Sequence, residues 1–320
     1  MDNCVGEKLK KMGYALVGGT SAVQICRWTK NSLRGDRGCW KEKFYGVSSA
    51  GCCQMTPSVM WCENRCLHCW RPIEMNLGTE LPIIDEPVNI LNGIVAARKK
   101  LLEGFRGRRG INVEKLKKAM EPSLYTMSLS GEPTLYPRLG EMFKEIRKRG
   151  AVSFLVTNGL NPEVLAGFKK DELPTQITVS MNAPNEKLFG IWHRSMKKDA
   201  WKKFNETLDV IRNLKGEVRR VIRLTLVKDE NMSRENVGEY CNLVRKAEPD
   251  FIHVKGFKSI GYARERLGYD KQVWFDGVKE FALKMEKELV KDGFKISAED
   301  RRCCVVMLAR DGAKLKITKI

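Results

Sequence analysis

The sequence lacks any apolar run long enough to cross a membrane. No stretch approaches the roughly 18–20 consecutive apolar residues that a spanning helix needs. The N-terminal stretch MDNCVGEKLKK also lacks the apolar segment of a secretory signal. We therefore expect a cytoplasmic protein whose 11 cysteines are reduced. In that setting, clustered thiols indicate a metal site rather than disulfides.

Acidic residues are too few to balance the basic ones. The chain has 58 Lys and Arg residues against 39 Asp and Glu residues, a formal net charge of +19. This excess favours a polyanionic partner, above all a nucleic acid. The alternative is a lysine-rich surface of the thermophile type, although such a surface usually carries matching acids.

The sequence also lacks internal repeats, low-complexity tracts and a convincing linker. Apolar strand-like runs alternate with amphipathic stretches, which predicts a parallel α/β sheet. The predicted strands are residues 56–61, 123–130, 151–157, 175–181, 219–227 and 250–256. The predicted helices are residues 6–12, 87–105, 137–149, 161–169, 199–214, 232–246 and 271–291.

The strand–helix units are fewer than the eight of a complete TIM barrel. They predict an α/β fold in the form of a partial (β/α)6 TIM-like barrel over residues 55–299. Residues 1–54, which look rich in loops, are predicted to form an N-terminal extension, and residues 300–320 are predicted to form a short C-terminal extension that could add one more strand. The functional site is expected at the carboxyl ends of the barrel strands.

Three cysteines, Cys62, Cys66 and Cys69, follow the first predicted strand within the stretch MWCENRCLHCW. Three thiolates on one loop can hold three irons of a 4Fe-4S cluster and leave the fourth iron open. S-adenosylmethionine (SAM) has amino and carboxylate groups suited to that iron, and it carries radical chemistry. The alternative is a zinc site that includes His68. Zinc sites normally pair two CxxC knuckles, however, and the sequence has no second one.

The CxxxCxxC spacing after the first predicted strand resembles the signature of the radical SAM superfamily. That superfamily prefers an aromatic residue before the last cysteine, whereas this chain has His68. The imidazole of His68 could stack on the adenine of SAM, or it could merely shape the loop.

Polar residues stand at the ends of the following predicted strands. The stretch SGEP at 130–133 resembles the superfamily's GGE motif, which implies that Glu132 offers a carboxylate to the SAM ammonium group. Further candidates for binding the SAM carboxylate and ribose hydroxyls are Thr157, Asn158, Ser180 and Asn182. Turn and helix-cap chemistry is the alternative for each of them.

A second set of cysteines lies upstream, with Cys26, Cys39 and Cys52 equally spaced. Three more thiolates in a reduced chain suggest a second 4Fe-4S cluster. Cys53 could replace Cys52, and ordinary buried cysteines are the alternative for the whole set. That ordinary role is the one expected for Cys4, Cys241, Cys303 and Cys304.

Together the motifs resemble the tRNA 4-demethylwyosine synthase family over nearly the whole chain. Besides the cysteine sets, the resemblance rests on CWKEKFYG at 39–46, CCQMTPS at 52–58, SMNAPN at 180–185 and VKGFKSIGYARERL at 254–267. It is to the archaeal form, since the flavodoxin-like FMN domain of the eukaryotic form is not seen before the barrel. The resemblance therefore implies a separate electron-donor protein, and we expect a monomer.

The resemblance implies a specific reaction on tRNA-Phe that carries N1-methylguanosine at position 37. A deoxyadenosyl radical derived from SAM would take a hydrogen from the N1-methyl group. The resulting radical would add to pyruvate, which contributes two carbons and loses its carboxyl carbon to give 4-demethylwyosine.

The resemblance also implies a Schiff base between pyruvate and Lys41, two residues after Cys39. Such a lysine needs a lowered pKa, from burial or a neighbouring positive charge. Lys43 is a weaker candidate for the same role. Iron of the second cluster could instead hold pyruvate directly, and both modes could operate together.

Sequence-specific RNA recognition favours unpaired bases stacked on aromatic side chains, and chemistry on a base requires that base to be unstacked. Segments 28–41, 98–110 and 192–204 interleave basic and aromatic residues, although a solvated charged face is the alternative for each. The RNA contacts predicted nearest the chemistry are Lys30, Arg34 and Arg37.

Two other functions compete with this reading. One is another radical SAM RNA-modifying enzyme with an auxiliary cluster, such as a methylthiolase. That class usually carries a separate RNA-binding appendage, which is not seen here. The other is a metal-stabilised RNA-binding protein without enzymatic activity.

Overall fold

The computed structural model describes residues 3–318, which form one mixed sheet of ten strands flanked by helices. The strands are β1 (Tyr14–Val17), β2 (Ser21–Gln24), β3 (Cys52–Thr56), β4 (Leu124–Met127), β5 (Val152–Thr157), β6 (Gln176–Ser180), β7 (Arg219–Leu226), β8 (Phe251–Gly256), β9 (Phe294–Asp300) and β10 (Val305–Arg310). The helices are α1 (Asn3–Lys11), α2 (Arg27–Leu33), α3 (Trp40–Tyr45), α4 (Pro87–Glu103), α5 (Val113–Met120), α6 (Leu139–Lys148), α7 (Pro162–Ala166), α8 (Glu186–His193), α9 (Ala200–Asn213), α10 (Arg234–Ala247), α11 (Ala263–Leu267) and α12 (Phe275–Leu289).

The strands β3 to β8 pair in chain order, and each pair is parallel. At least one helix crosses over between every two of these strands, as parallel pairing requires. The predicted partial (β/α)6 barrel is therefore confirmed. Antiparallel strands extend it on both sides, with β2 and β1 beyond β3, and β10 and β9 beyond β8.

The first barrel strand differs from the prediction. The strand expected at 56–61 lies at Cys52–Thr56, because the chain turns as soon as β3 ends. The Ser58 amide donates to Thr56 Oγ1 at 3.2 Å, and the Trp61 amide donates to Ser58 O at 3.1 Å. The apolar run that suggested a strand is buried instead in a small core cluster beside α1.

The predicted extensions are continuous with the barrel sheet. Residues 1–54 were expected to be mostly loop, yet they contribute α1 to α3, β1, β2 and the start of β3. In the segment 300–320 the structure places β10 as the expected additional strand, while β9 lies almost entirely before it. Residues 1–2 and 319–320 of these extensions lie outside the described part. Within that part, no helix has the length and apolar character needed to cross a membrane.

Apolar side chains fill the amino half of the barrel interior. Phe154, Val221 and Phe251 from three strands form a buried cluster with Phe44 and Tyr45 of α3. Burying side chains of this size contributes roughly 1.5–3 kcal/mol each. The helix α3 is therefore fixed inside the barrel, and it carries one of the predicted functional lysines into the interior.

The buried Arg98 of α4 fixes the start of β3. Its guanidinium donates to Ala50 O at 2.7 Å, Cys52 O at 2.9 Å and Ala119 O at 2.9 Å. Charged donors give stronger hydrogen bonds than neutral ones. Arg98 belongs to the basic segment 98–110 proposed for RNA binding, but its role here is structural.

Candidate functional site

The cysteines Cys62, Cys66 and Cys69 lie half-buried on the loop after β3, at the carboxyl end of the barrel. The Asn64 amide donates to Cys62 Sγ at 3.5 Å, and Asn158 Nδ2 lies 3.9 Å from the same sulfur. Burial raises the pKa of all three thiols. Thiolates at this position would therefore need positive charge, such as that of iron, to stabilise them.

Arg266 of α11 holds this loop from outside. Its guanidinium donates to Leu67 O at 3.1 Å and to Cys69 O, and it pairs with Glu74 at 2.5 Å. The stretch 254–267 that supports the family resemblance therefore contacts the backbone of the cysteine loop. The sequence alone did not indicate this contact, because nearly two hundred residues separate the two segments.

Two glycines allow backbone segments to approach the cysteine loop closely. Gly131 has φ +70°, and a Cβ there would lie 1.7 Å from Ser58 O. Gly261 has φ +55°, and a Cβ there would lie 2.4 Å from Trp70 O. Only glycine satisfies both the backbone conformation and the space at these positions.

The predicted Glu132 is buried and already hydrogen-bonded to the chain. Its carboxylate accepts from the Thr134 amide at 3.1 Å, Thr157 Oγ1 at 2.7 Å and the Asn158 amide at 2.7 Å. Burial and the nearby Glu63 carboxylate raise the pKa of Glu132 above its ordinary value. The structure thus brings together Glu132, Thr157 and Asn158, and it uses them to order the ends of β4 and β5.

Glu63 is a fully buried carboxylate that the sequence reasoning missed. It accepts from Asn158 Nδ2 at 2.9 Å and from Asn161 Nδ2, and Lys197 Nζ lies 3.7 Å away. The available signal was its position inside the cysteine motif, directly after Cys62. Glu63 therefore positions the side chains of Asn158 and Asn161 beside the loop that carries Cys62, Cys66 and Cys69.

On the other side of the loop, His68 and Asn182 come together. Asn182 Nδ2 donates to His68 Nε2 at 3.1 Å. Burial, with His193 and Arg223 nearby, lowers the pKa of His68 to about 3, so its imidazole is neutral. The candidate Ser180, at the end of β6, accepts a hydrogen bond from Arg223 Nη2 at 2.8 Å.

The second set of cysteines surrounds Lys41. Lys41 Nζ lies 3.7 Å from Cys52 Sγ and 3.2 Å from Thr126 Oγ1. Cys26 and Cys39 occupy the N-cap positions of α2 and α3. Cys52 is the first residue of β3, so this set lies towards the amino half of the barrel interior, not at the predicted carboxyl edge.

The pKa of Lys41 lies above its ordinary value, contrary to the lowered pKa that the sequence analysis expected. Burial lowers this pKa, but the thiolates of Cys52, Cys39 and Cys26 together raise it more. All three thiolates thus act electrostatically on one amine, and Cys52 is the member in hydrogen-bond contact with it.

The alternative residues at the second set do not face it. Lys43 is exposed and donates to Glu299 O at 2.7 Å. Cys53 is fully buried in the outer core, where burial raises the pKa of its thiol to about 12. The structure thus favours Lys41 over Lys43, and Cys52 over Cys53.

Neither cysteine set forms the site that the zinc alternative would need. In residues 3–318, no three His, Cys, Asp or Glu side chains are gathered in a way that could hold a metal ion. His68 directs its Nε2 to Asn182. Each set does supply three thiols with hydrogen-bond donors near sulfur, and hydrogen bonds of that kind tune iron–sulfur clusters.

Two cations in the barrel interior were also missed. Arg223 and Lys255 lie on β7 and β8, and both are half-buried. Burial lowers the pKa of Arg223 to about 10 and that of Lys255 to about 8. The signal for them was a charged residue beside apolar neighbours, with Arg223 between Ile222 and Leu224 and Lys255 after Val254, but their inward orientation depends on how the barrel closes.

The predicted RNA contacts Lys30, Arg34 and Arg37 are all exposed around α2. Arg37 forms an ion pair with the buried Asp300, so its guanidinium is engaged within the chain. The prediction for Arg37 therefore has a structural alternative that the sequence did not show.

The segment 192–204 does not present its aromatic residues for stacking. Trp192 and Phe204 are buried in the core, and the half-buried Trp201 stacks on Phe204 with ring centroids 5.7 Å apart. An exposed aromatic lies elsewhere, at Trp70, directly after Cys69 and 41% exposed. The Arg71 guanidinium lies 3.5 Å from the centre of the Trp70 ring. Arg71 itself is buried, so the pair presents the flat Trp70 ring beside the first cysteine set, with the cation behind it.

Comparisons with known proteins find similar sequences over nearly the whole chain. The model of the radical SAM superfamily matches residues 57–241, and that of wyosine base formation matches residues 246–310. The SAM-dependent tRNA 4-demethylwyosine synthase of Pyrococcus horikoshii is 40% identical, over 96% of this chain and 89% of that protein. The enzyme of the same name from Methanocaldococcus jannaschii is 31% identical, over 96% of each.

Solved structures show the same likeness. A structure of TYW1 with a lysine–pyruvate adduct bound has a TM-score of 0.85 and 29% identity, covering 99% of this chain and 98% of that one. An archaeal TYW1 crystal structure has a TM-score of 0.78 and 28% identity, covering 99% of this chain and 100% of that one. Coproporphyrinogen III oxidase from Escherichia coli, at 14% identity and a TM-score of 0.51, shares the fold alone.

Proposed function

Since the chain belongs to the tRNA 4-demethylwyosine synthase family of radical SAM enzymes, we propose that it joins N1-methylguanosine-37 of tRNA-Phe to two carbons of pyruvate. The product would be the tricyclic base 4-demethylwyosine. The observation that carries this proposal is the Lys41 amine among three cysteines in the barrel interior. A primary amine there can form an imine with an α-keto acid. The similar TYW1 structure is described as holding a lysine–pyruvate adduct.

Family membership implies SAM and a 4Fe-4S cluster as cofactors. Their proposed ligands are Cys62, Cys66 and Cys69, which lie on one loop with donors near the sulfur of Cys62. When bound, the cluster and SAM supply the radical chemistry. The buried Glu63 would keep Asn158 directed at this loop.

We assign a second 4Fe-4S cluster to Cys26, Cys39 and Cys52. The support is their common approach to Lys41 and the three-thiol composition that matches the first set. A cluster at this position would lie beside the amine that is proposed to bind pyruvate.

We propose the SAM-binding residues because they lie around the first set of cysteines. Asn182 and His68 lie on one side of the loop, and His68 offers a neutral imidazole for stacking. Ser180, Thr157 and Asn158 end neighbouring strands. Glu132 Oε1 already accepts from the Thr134 amide, Thr134 Oγ1 and Thr157 Oγ1, whereas Oε2 accepts one bond, from the Asn158 amide, and keeps a position for a hydrogen bond from the SAM ammonium group.

Lys41 would act as the nucleophile toward pyruvate. Its neutral amine attacks the carbonyl carbon, the C–N bond forms, and the carbonyl oxygen leaves as water. Thr126 Oγ1 at 3.2 Å orients the amine. Iron bound to these thiolates would reduce the negative charge near Lys41, and this would lower its pKa toward the value that the attack needs.

The partners follow from the same proposal. The tRNA is attracted by the net charge of +19, and Lys30 and Arg34 are exposed for contact with it. We further propose a separate electron-donor protein, a monomeric state and a cytoplasmic location.

Borohydride trapping tests the lysine assignment. Reduction in the presence of pyruvate should add a three-carbon label to the peptide that contains Lys41. Lys43→Arg is the matched control, because Lys43 lies on the same helix but is exposed, and it should label normally. Lys41→Arg should bind tRNA and make no product. Product formation at near wild-type rates by that variant would contradict the imine and favour pyruvate bound to iron.

A further inference from the structure

The barrel interior holds two cations that the proposed function does not use. We propose that Arg223 and Lys255 form a carboxylate-binding site, which holds the carboxylate of pyruvate while its carbonyl carbon bonds to Lys41. This inference rests on the proposed function and extends it to the residues that select the co-substrate.

The two cations lie on neighbouring strands of the barrel, β7 and β8. Arg223 is opposite Ser180 of β6 and opposite His253 of β8 in the sheet register. The His253 ring lies 4.7 Å from the Trp40 ring, and Lys255 Nζ lies 5.2 Å from the same ring. Since Trp40 directly precedes Lys41, both cations and the proposed nucleophile meet around one part of the interior.

These cations also act on one shared imidazole. Burial first, and then the positive charges of Lys255, Arg223, Arg219 and Lys41, hold the pKa of His253 well below its usual range. His253 is therefore neutral. The positive charge in the interior is therefore carried by lysine and arginine alone.

These cations have no carboxylate partner within the described residues. Arg223 donates to the Ser180 hydroxyl, and its Nε has no partner there. By contrast, the buried Arg220 on the same strand pairs with Asp250 at 2.6 Å. Buried charges are normally paired, because an isolated one is costly. The missing counter-charge is therefore best supplied by a ligand.

A small carboxylate fits this site better than a nucleic-acid phosphate. The amino half of the interior is closed by the aromatic residues of α3, which carries Lys41. An arginine fork can bind a carboxylate through two parallel hydrogen bonds. An α-keto acid carries its carboxylate one bond from the carbonyl carbon, which lets one molecule reach both Lys41 and the two cations.

The test compares borohydride trapping of pyruvate with that of methyl pyruvate, which keeps the keto group but has no negative charge. In the wild-type protein, Lys41 should trap more pyruvate than methyl pyruvate. Arg223→Met and Lys255→Met should each lower pyruvate trapping by about tenfold or more, since a charged hydrogen bond is lost. Trapping of methyl pyruvate should change little. Arg219→Met is the matched control, because Arg219 is on the same strand but donates to Lys314 O and Leu315 O.

Arg223→Lys keeps the positive charge but loses the two parallel donors of the guanidinium group. We therefore expect it to lose less of the preference for pyruvate than Arg223→Met does. This variant keeps the test decisive if the Met variant does not fold. Unchanged preference in folded variants would overturn the carboxylate site alone. A loss confined to SAM binding, or a label on Lys255, would also overturn it. No adduct on wild-type Lys41 with either compound would remove the imine proposal as well.

Discussion

Replacing Arg266 with methionine should loosen the first cysteine loop without unfolding the protein. The Arg266 side chain is 13% exposed and bonds Leu67 O and Cys69 O, with Glu74 as its ion-pair partner. Methionine fills similar space but leaves both carbonyls without their charged donor.

The size of the effect follows from these contacts. Each hydrogen bond from a charged group contributes about 1.5–3 kcal/mol. The pair with Glu74, whose side chain is 52% exposed, adds no more than about 1 kcal/mol. The loop should therefore lose about 3–7 kcal/mol of local stability, which raises its open fraction on the order of 100-fold or more. Global unfolding should change much less, because the loop can open by itself.

Hydrogen exchange measures this directly. The amide of Cys69, which donates to Cys66 O at 3.1 Å, should exchange faster in Arg266→Met, and the reconstituted protein should lose iron faster. Arg264→Met is the control, since Arg264 is exposed on the same helix. Glu74→Gln should have only a small effect. Unchanged exchange and iron retention in Arg266→Met would refute the view that Arg266 holds the loop.

Other predictions concern the second cluster, the charged surface and the buried histidines. Reconstituted wild-type protein should hold about eight irons, and Cys26→Ala about four. Iron near four in wild type would contradict the second cluster. Binding of tRNA should weaken steeply with salt, and Arg34→Ala should flatten that slope, whereas no change in slope would place the tRNA elsewhere. Arg37→Ala should instead lower the melting temperature, because it leaves Asp300 buried and unpaired, and an unchanged melting temperature would disprove this role. The pKa of His193 is lowered to about 4 by burial, so the unfolded chain binds its proton first as pH falls. The free energy of unfolding therefore falls as the pH drops from 6.5 to about 4. In denaturant titrations, His193→Gln should reduce the slope of this fall by about 1.4 kcal/mol per pH unit. Equal slopes for the two proteins would contradict a neutral buried His193.

The barrel was predictable where strands and helices alternate with clear apolar periods. The strands β4 to β8 were found within a few residues, because buried parallel strands appear as short apolar runs. The first barrel strand was predicted too late in the chain, since the apolar residues after Thr56 belong to a loop that is buried in a small core cluster. The added antiparallel strands were hidden because their pairing depends on the edges of the completed sheet.

The cysteine loop could be predicted from sequence because its ligands lie in one short motif. The second cysteine set was inferred from its number of thiols and their spacing, whereas the role given to Lys41 needed the family resemblance, since only tertiary folding brings Lys41 and these cysteines together. Glu63, Arg223 and Lys255 were missed for a related reason. Their orientation toward the site depends on loop packing and barrel closure, which no local pattern records.

The most direct test of the central claim is nucleoside mass analysis after anaerobic reaction. The reconstituted protein would be incubated with tRNA-Phe carrying N1-methylguanosine-37, SAM, a strong reductant, and pyruvate labelled with 13C at carbons 2 and 3. The account predicts a nucleoside with the mass of 4-demethylwyosine, heavier by the two labelled carbons. SAM cleavage with N1-methylguanosine left unchanged, or a product that carries no label, would contradict it.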